Sequence, residues 1–227
     1  MLKRDIFRTG EYVNHFNPDD KRNPFSRIYT QKKRDAINII SRSKQPRIVL
    51  DIGGGMGRLS LALLRIPQTT VVLSDISLDM LKLVPFSENS SSKVTLINAD
   101  GHHLPFSDDL FDFVVGLDLL CHLENPETAL REFHRVLKDN GILMLDSTNS
   151  NPLWAVFYPR YLGKNPLNWL KILKFHGVYP GWEMIVQHYP KKQFFSLLNR
   201  FGFQIRQILT YGPKICPKWH LAIAIKV

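Results

Sequence analysis

Three aspartates and a cluster of glycines are the residues of this sequence best suited to bind a small ligand. The stretch "VLDIGGGMG" (49–57) leads an apolar run into a glycine-rich turn, and Asp51 stands just before the glycines. Glycines let a backbone approach a ligand closely and adopt positive φ. Asp75 and Asp100 end the next two apolar runs, where a carboxylate can accept hydrogen bonds from a ribose diol or from the amine of a base. One such aspartate is commonly a turn former, but three in register with the turn predict a phosphate-free adenosine site.

The spacing of the glycines narrows the choice of ligand. Gly53, Gly55 and Gly57 form a G-x-G-x-G pattern, whereas a dinucleotide fingerprint is G-x-G-x-x-G and would need a glycine in place of Arg58. No Gly-Lys-Ser/Thr follows, so the pattern of a phosphate-binding P-loop is missing. A carboxylate at Asp51 would repel a pyrophosphate and suits a ligand of cationic character. The spacing therefore disfavours a nicotinamide dehydrogenase.

Short apolar segments that alternate with helical ones must position these residues. The predicted strands are 47–52, 70–76, 93–100, a fourth that opens the segment 111–120, and 142–148. The predicted helices are 28–43, 57–66, 78–84, 126–141 and 191–201, with Gly141 ending the fourth. Two apolar segments at the end of the chain, with no helix between them, predict an antiparallel hairpin at the sheet edge. The pattern predicts an α/β fold with a Rossmann-like, doubly wound, mostly parallel seven-stranded sheet whose last strand is antiparallel.

Composition bounds the class of protein and its compartment. The 227 residues fit one α/β domain, and no apolar run approaches the length of a membrane span. The first residues lack the apolar stretch of a signal peptide. Cys121 and Cys216 stand far apart and form no metal-binding pattern. These features predict a protein of the reduced cytoplasm without a bound metal.

Four ordered segments between residues 47 and 148 resemble the motifs of class I S-adenosylmethionine-dependent methyltransferases, in the small-molecule group that includes the quinone-biosynthesis enzymes. The likeness extends more faintly over 188–203. One departure is "KDNG" (138–141), where the family often has Lys-Pro-Gly-Gly. The four segments are "VLDIGGGMG" (49–57), "SDISLDML" (74–81), "NADGHHLPFSDDLFDFVV" (98–115) and "CHLENPETALREFHRVLKDNGILML" (121–145).

The resemblance implies a cofactor and a set of residues that bind it. The cofactor is S-adenosylmethionine, and the product of the reaction is S-adenosylhomocysteine. Asp75 matches the acid that binds the ribose, and Asp100 with its neighbour matches the contact to adenine. The full set of cofactor-binding residues that we expect is Asp51, Gly53, Gly55, Gly57, Asp75, Ile76, Asp100, Gly101 and Leu117.

Methyl transfer needs alignment and exclusion of water more than it needs a catalytic triad, because the sulfonium already activates the methyl group. A general base is needed only for some acceptors. The candidates are His122, which follows the fourth strand next to Asp118, and the pair His188 and Tyr189 before the late helix. For His122 a structural role is the favoured interpretation and a substrate-facing role the alternative. His102 and its neighbour His103 are expected at the surface or at the cofactor's edge.

Charge and aromatic content set the two flanks apart from the centre of the chain. Net charge is +7 over residues 1–47, −7 over 48–150 and +10 over 151–227. We expect one domain with an N-terminal lid arm (1–46), a cofactor-binding core (47–150), a substrate cap inserted after the fifth strand (151–187) and a C-terminal helix and hairpin (188–227).

The basic, aromatic flanks predict a hydrophobic acceptor with an anionic group: an isoprenoid, a lipid or an aromatic acid. The segment 165–177 has an apolar face edged by lysines, which equally fits a peripheral contact with a membrane.

Two other functions remain open from the sequence. The basic flanks alone favour a nucleic-acid-modifying methyltransferase, since phosphate contacts need only Lys and Arg; "GLDL" (116–119) lacks the Asn/Asp-Pro-Pro-aromatic run typical of such enzymes. The other alternative is a non-catalytic relative that acts as a partner subunit, against which the intact glycine turn argues. The acceptor atom and the oligomeric state are not determined by the sequence.

Overall fold

A single seven-stranded sheet organises the computed structural model, which describes residues 24–43, 47–85, 94–148, 189–212 and 219–227. The strands are β1 (Arg47–Ile52), β2 (Thr69–Asp75), β3 (Val94–Asn98), β4 (Phe111–Gly116), β5 (Leu137–Thr148), β6 (Phe203–Tyr211) and β7 (Trp219–Lys226). The helices are α1 (Pro24–Ser41), α2 (Ser60–Leu63), α3 (Leu78–Lys82), α4 (Pro126–Val136) and α5 (Lys191–Arg200), with a 3₁₀ turn at Leu120–His122.

The strand order is β3-β2-β1-β4-β5-β7-β6. The first five strands in this order are parallel, and β7 runs antiparallel to both β5 and β6. This topology confirms the predicted α/β fold with an antiparallel last strand. The chain changes direction across the sheet between β1 and β4, and ligands of open α/β sheets bind at the carboxyl ends of the strands beside such a switch point.

Helices cover both faces of the sheet, and alternate residues of each strand supply the two cores. Val49 of β1 joins the core on the side of α1, whereas Leu50 and Ile52 join the core on the side of α4 and α5. On β5, Met144 faces the first core and Leu145 the second. The central strands β1 and β4 are therefore buried on both faces, as expected of a doubly wound sheet.

Helix α1 is the described part of the predicted N-terminal arm. Ile28, Ala36 and Ile40 lie on one face of the helix and are buried in the first core. The hydroxyl of Tyr211 on the edge strand β6 donates to Asp35 Oδ2 over 2.7 Å. These contacts pack α1 on the first core and tie it to β6, and Lys32 of α1 reaches Asp118 after β4 and Asp146 of β5.

Strand β4 ends at Gly116, and Asp118 after it takes a left-handed backbone conformation with φ of 56°. The predicted end of the fourth helix was wrong. The fourth helix was expected to run to Gly141, but α4 ends at Val136 because Leu137 is extended and pairs with Phe111 of β4. Gly141 lies within β5 and ends no helix.

The cap (151–187), the segment proposed for a membrane contact and His188 lie outside the described residues. The four-part division of the chain therefore stays a prediction. Within the described ranges, no helix is both long and apolar enough to span a bilayer. The same ranges hold no group of three or more His, Cys, Asp or Glu side chains arranged to bind a metal.

Candidate functional site at the carboxyl edge of the sheet

The glycine turn after β1 uses its glycines for two different reasons. Gly53, Gly55 and Gly57 have φ of 67°, 55° and 73°, a region that other residues enter only at a cost. Gly54 is required for steric reasons, because a Cβ at this position would lie 2.3 Å from Leu73 Cδ1 and 2.8 Å from the Asp51 carboxylate. The turn is tied to β2, since the Gly53 amide donates to Ser74 O over 2.7 Å. It thus presents bare backbone at the switch point.

Asp51 lies beneath this turn and is only 2% exposed. Its Oδ2 accepts hydrogen bonds from the Ser60 hydroxyl over 2.6 Å and from the Ser60 amide over 3.1 Å. Burial raises the pKa of Asp51 to about 6, although the two bonds from Ser60 oppose the shift. The carboxylate therefore joins the end of β1 to the start of α2 and places negative charge under the turn at neutral pH.

Asp51→Asn is expected to change the pH dependence of folding. The folded-state pKa of Asp51 is raised to about 6, so between pH 7 and pH 5 the folded protein takes up a proton that the unfolded chain does not. Wild type should gain about 1 kcal/mol of unfolding free energy relative to the variant over this interval. Urea denaturation of both proteins at pH 7 and pH 5 measures the difference, and parallel pH profiles would contradict it.

Asp75 connects the end of β2 to the glycine turn. Its Oδ2 accepts from the Gly55 amide over 2.8 Å, and its Oδ1 accepts from the Ser77 amide over 2.8 Å. Burial raises its pKa. Each carboxylate oxygen can accept a second bond, so these contacts leave acceptor capacity for a diol. Ile76 follows directly, and the side-chain amide of Asn98 donates to the carbonyls of Asp75 and Ile76 over 2.9 and 3.0 Å.

Asp100 and His102 form a pair at the end of β3. Asp100 Oδ1 accepts from the His102 amide over 3.0 Å and lies 2.5 Å from His102 Nδ1, while His102 Nε2 accepts from the Asn125 amide over 3.3 Å. His102 is only 7% exposed, so a surface position for it was wrong, whereas His103 is exposed. The pair joins the loop after β3, including Gly101, to the start of α4.

The loop after β4 packs against the glycine turn. Leu117 is buried, and Leu119 packs so closely on the glycine turn that a Cβ on Gly53 would lie 2.8 Å from Leu119 Cδ1. The loops after β1 and β4 are therefore in contact. The structure places the predicted cofactor residues at the carboxyl ends of four adjacent strands, β3, β2, β1 and β4, or in the loops that follow them.

A buried ion-pair cluster at this edge was not predicted. Lys32 of α1 lies between Asp118 after β4 and Asp146 of β5; its ammonium is 2.5 Å from Asp118 Oδ1 and also contacts Asp146 Oδ2. Burial lowers the pKa of Lys32, but the two carboxylates outweigh burial and raise it overall. The sequence does carry a signal, because Lys32 falls on the buried stripe between Ile28 and Ala36. A lysine on such a stripe indicates a buried partner.

Two of the three candidate bases, His122 and Tyr189, lie within the described residues. His122 is half-buried in the 3₁₀ turn after β4. Tyr189 lines a groove of about 620 Å³ with Glu127, Gln193 and other residues of α4 and α5. Burial, assisted by the charge of Glu127, raises the pKa of Tyr189 to about 12, so the phenol is protonated at neutral pH and suits a hydrogen-bond donor better than a base.

His220 on β7 is a buried imidazole that sequence reasoning missed. It pairs in register with Ser147 of β5 and is 2% exposed. Neither ring nitrogen has a hydrogen-bond partner among the described residues. Burial and the nearby charge of Lys191 lower its pKa, so the ring is neutral at pH 7. A histidine within a short apolar strand gives no sequence signal of this kind.

Comparison with known proteins assigns the central region. A family model described as "Methyltransferase domain" matches residues 50–145, the stretch that carries the glycine turn, Asp75, Asp100 and the loop after β4. Residues 50–145 are a methyltransferase domain. This match agrees with the sequence motifs, which resemble those of the class I, S-adenosylmethionine-dependent methyltransferases.

The methyltransferase domain is similar in sequence to methyltransferases of quinone biosynthesis. The chain is 39% identical over 120 residues to the ubiquinone/menaquinone biosynthesis C-methyltransferase UbiE of Ectopseudomonas mendocina, an alignment covering 50% of this chain and 47% of that protein. The chain thus spans about half the length of the curated relatives it matches.

Two solved structures share the fold. Magnesium protoporphyrin IX methyltransferase from Synechocystis PCC 6803, solved with bound S-adenosylhomocysteine, has a TM-score of 0.68 at 18% identity and covers 99% of this chain and 98% of its own. A methyltransferase from Methanosarcina mazei has a TM-score of 0.63 at 24% identity, with coverages of 84% and 97%.

Proposed function

We propose that this protein transfers a methyl group from S-adenosylmethionine to a small hydrophobic acceptor that carries an anionic group. The observation that carries the proposal is the glycine turn, whose Gly55 amide is fixed by the carboxylate of Asp75. Bare backbone and a carboxylate with acceptor capacity to spare suit the methionine and ribose parts of the cofactor. Asp51, Asp100 and Leu117 complete the cofactor site that we propose.

The chemistry of this site consists of placing and shielding the reacting atoms. The cofactor supplies the activated methyl group. The chain would hold the nucleoside along the loops after β1, β2 and β3, and the loop after β4 would form the wall against which the acceptor lies. Alignment of acceptor and methyl carbon supplies much of the rate enhancement in such a reaction.

The nature of the acceptor is inferred from charge and from relatives. UbiE is named as a C-methyltransferase of ubiquinone and menaquinone biosynthesis, which supports a small-molecule acceptor for this chain. The strongly basic flanks support an anionic group on it. A panel of radiolabelled methyl-transfer assays tests this class: hydrophobic acids should be methylated, and methylation of neutral polar acceptors alone would refute the class.

Asp75→Ala is expected to weaken S-adenosylmethionine binding by about 2 kcal/mol, roughly 30-fold, because it removes charge-assisted hydrogen bonds. Isothermal titration calorimetry of wild type and variant measures the change. Asp79→Ala is the matched control, since Asp79 is a half-exposed carboxylate on α3 that pairs with Lys82 over 3.2 Å. The control should bind the cofactor as wild type does.

Three outcomes separate the proposal from its alternatives. Unchanged affinity of Asp75→Ala would remove Asp75 from the cofactor site. Absence of cofactor binding to wild type at millimolar concentration would favour the non-catalytic partner subunit. Methylation of RNA or DNA, with affinity that falls steeply as salt rises, would favour the nucleic-acid enzyme.

A further inference from the structure

The Lys32 cluster differs from an ordinary buried ion pair in one respect: one of its carboxylates reaches solvent. The side chains of Lys32 and Asp146 are each 1% exposed, whereas that of Asp118 is 41% exposed. Asp118 Oδ1 is bound to Lys32. Among the residues that the structure describes, no donor reaches its second oxygen, Oδ2.

The backbone of Asp118 is held in place as firmly as its side chain. Its φ of 56° is left-handed, a conformation that costs free energy in residues other than glycine. The Asp118 amide donates to Asp146 Oδ1 over 2.6 Å, and Asp146 in turn contacts Lys32. The same two partners thus fix the main chain and the carboxylate of Asp118. Strain that is held by a buried network is typical of functional positions.

Asp118 lies where a substrate of the proposed reaction would contact its outer carboxylate oxygen. Asp118 follows β4 and precedes Leu119, whose side chain covers Gly53 of the glycine turn. Tyr29 of α1 lies near both Asp51 and Asp118 and stacks under the Arg58 guanidinium at 4.3 Å. Asp118 therefore stands between the cofactor turn and α1, at the wall where the proposed function places the acceptor.

We propose that Asp118 binds a proton-bearing group of the methyl acceptor, a hydroxyl or an N–H, through its outer carboxylate oxygen. Lys32 holds the carboxylate and offsets part of its charge, and Asp146 fixes the Asp118 backbone, so the site selects acceptors that can donate a hydrogen bond. The inference rests on the proposed function and extends it, because it specifies a second polar group on a hydrophobic, anionic acceptor.

A pair of probes that differ by one proton donor tests the inference. They are a decyl-substituted para-hydroxybenzoate and its methyl ether, titrated by calorimetry into protein saturated with S-adenosylhomocysteine. Wild type should bind the hydroxyl probe at least about tenfold more tightly than the ether, because a hydrogen bond to a charged group is lost in the ether. In Asp118→Asn this preference should fall below about threefold, since the amide keeps an acceptor for Lys32 but removes the charge.

Two further variants make the test specific. Asp118→Gly removes the carboxylate and relieves the left-handed conformation, so it should fold and also lose the preference. Asp109→Asn is the matched control: Asp109 has φ of 53° and binds Lys226 over 2.6 Å, but it precedes β4 at the opposite edge of the sheet. The control should keep the preference of wild type.

The outcomes distinguish failure of this inference from failure of the proposed function. If wild type binds S-adenosylhomocysteine but binds both probes equally, or binds neither, the role of Asp118 is overturned while the cofactor site stands. A preference retained in Asp118→Asn overturns it as well. If S-adenosylhomocysteine itself does not bind, the proposed function fails first.

Discussion

Lys32→Met should lower the free energy of unfolding by about 4 kcal/mol, the largest effect that we expect from a single change. The variant keeps the length and most of the volume of the side chain but leaves the buried Asp146 carboxylate without its cation. Lys32 and Asp146 are each 1% exposed, so water cannot replace the lost partner. Urea denaturation at pH 7, extrapolated to water, measures the change.

Two comparisons isolate the cause of this loss. Lys82→Met removes an exposed ion pair, with side chains 64% and 45% exposed, and should cost less than about 0.5 kcal/mol. Adding Asp146→Asn to Lys32→Met removes the stranded charge while keeping an acceptor for the Asp118 amide, and should restore about half of the loss. If Lys32→Met and Lys82→Met had equal effects, the buried cluster would not exist in solution.

Gly54→Ala should destabilise the protein by about 3 kcal/mol and abolish cofactor binding. The new methyl group would lie 2.3 Å from Leu73 Cδ1 and 2.8 Å from Asp51 Oδ2. Leu73 is fully buried, so it can yield only by disturbing the core, an overpacking cost of about 1–3 kcal/mol. Displacing the Asp51 carboxylate also weakens its bonds to Ser60, at a further 1–3 kcal/mol or so. Denaturation and calorimetry with S-adenosylmethionine measure the two effects.

Gly101→Ala is the control for this substitution. A Cβ on Gly101 would meet Ile52 Cδ1 at 3.3 Å, the tip of a side chain, without a left-handed backbone. We expect a cost below about 1 kcal/mol there. Adding Leu73→Ala to Gly54→Ala should cost less than the sum of the single changes, because the two residues compete for one space. Wild-type stability in Gly54→Ala would mean that the turn is looser than described.

Local patterns sufficed to predict the centre of the sheet because β1 and β4 are short and mostly apolar. Strand β1 begins and ends where it was predicted, and the topology follows from the alternation of strands and helices. Predictions failed where pairing overrode local preference. Residues 137–141 carry on the polar pattern of α4, yet Leu137 pairs with Phe111 and the chain becomes extended. Such pairing depends on a strand about 25 residues away, which no local window contains.

The sequence predicted which loops and strand ends would form the candidate site. It did not predict the hydrogen bonds between their side chains. Asp51, Asp75 and Asp100 were each expected to face a ligand, and their hydrogen bonds to Ser60, Gly55 and His102 could not be derived from their spacing. The Lys32 cluster joins residues far apart in sequence, so the sequence did not predict the pairing. It showed only two unusual charges: a lysine on a buried helical stripe and an aspartate, Asp146, inside an apolar strand. Two unexplained buried charges of opposite sign are grounds to expect that they pair.

The distance in sequence between Lys32 and its partners has a consequence for the order of assembly. Asp118 and Asp146 follow Lys32 by 86 and 114 residues. At ordinary rates of synthesis, α1 emerges from the ribosome roughly 5 to 25 s before Asp146 does. Through that interval the lysine has neither carboxylate to contact, and α1 lacks the packing of its apolar face that supplies most of a helix's stability in a protein. Helix α1 should therefore dock late, on a sheet that is already assembled, and should be among the first elements to open in native-state hydrogen exchange.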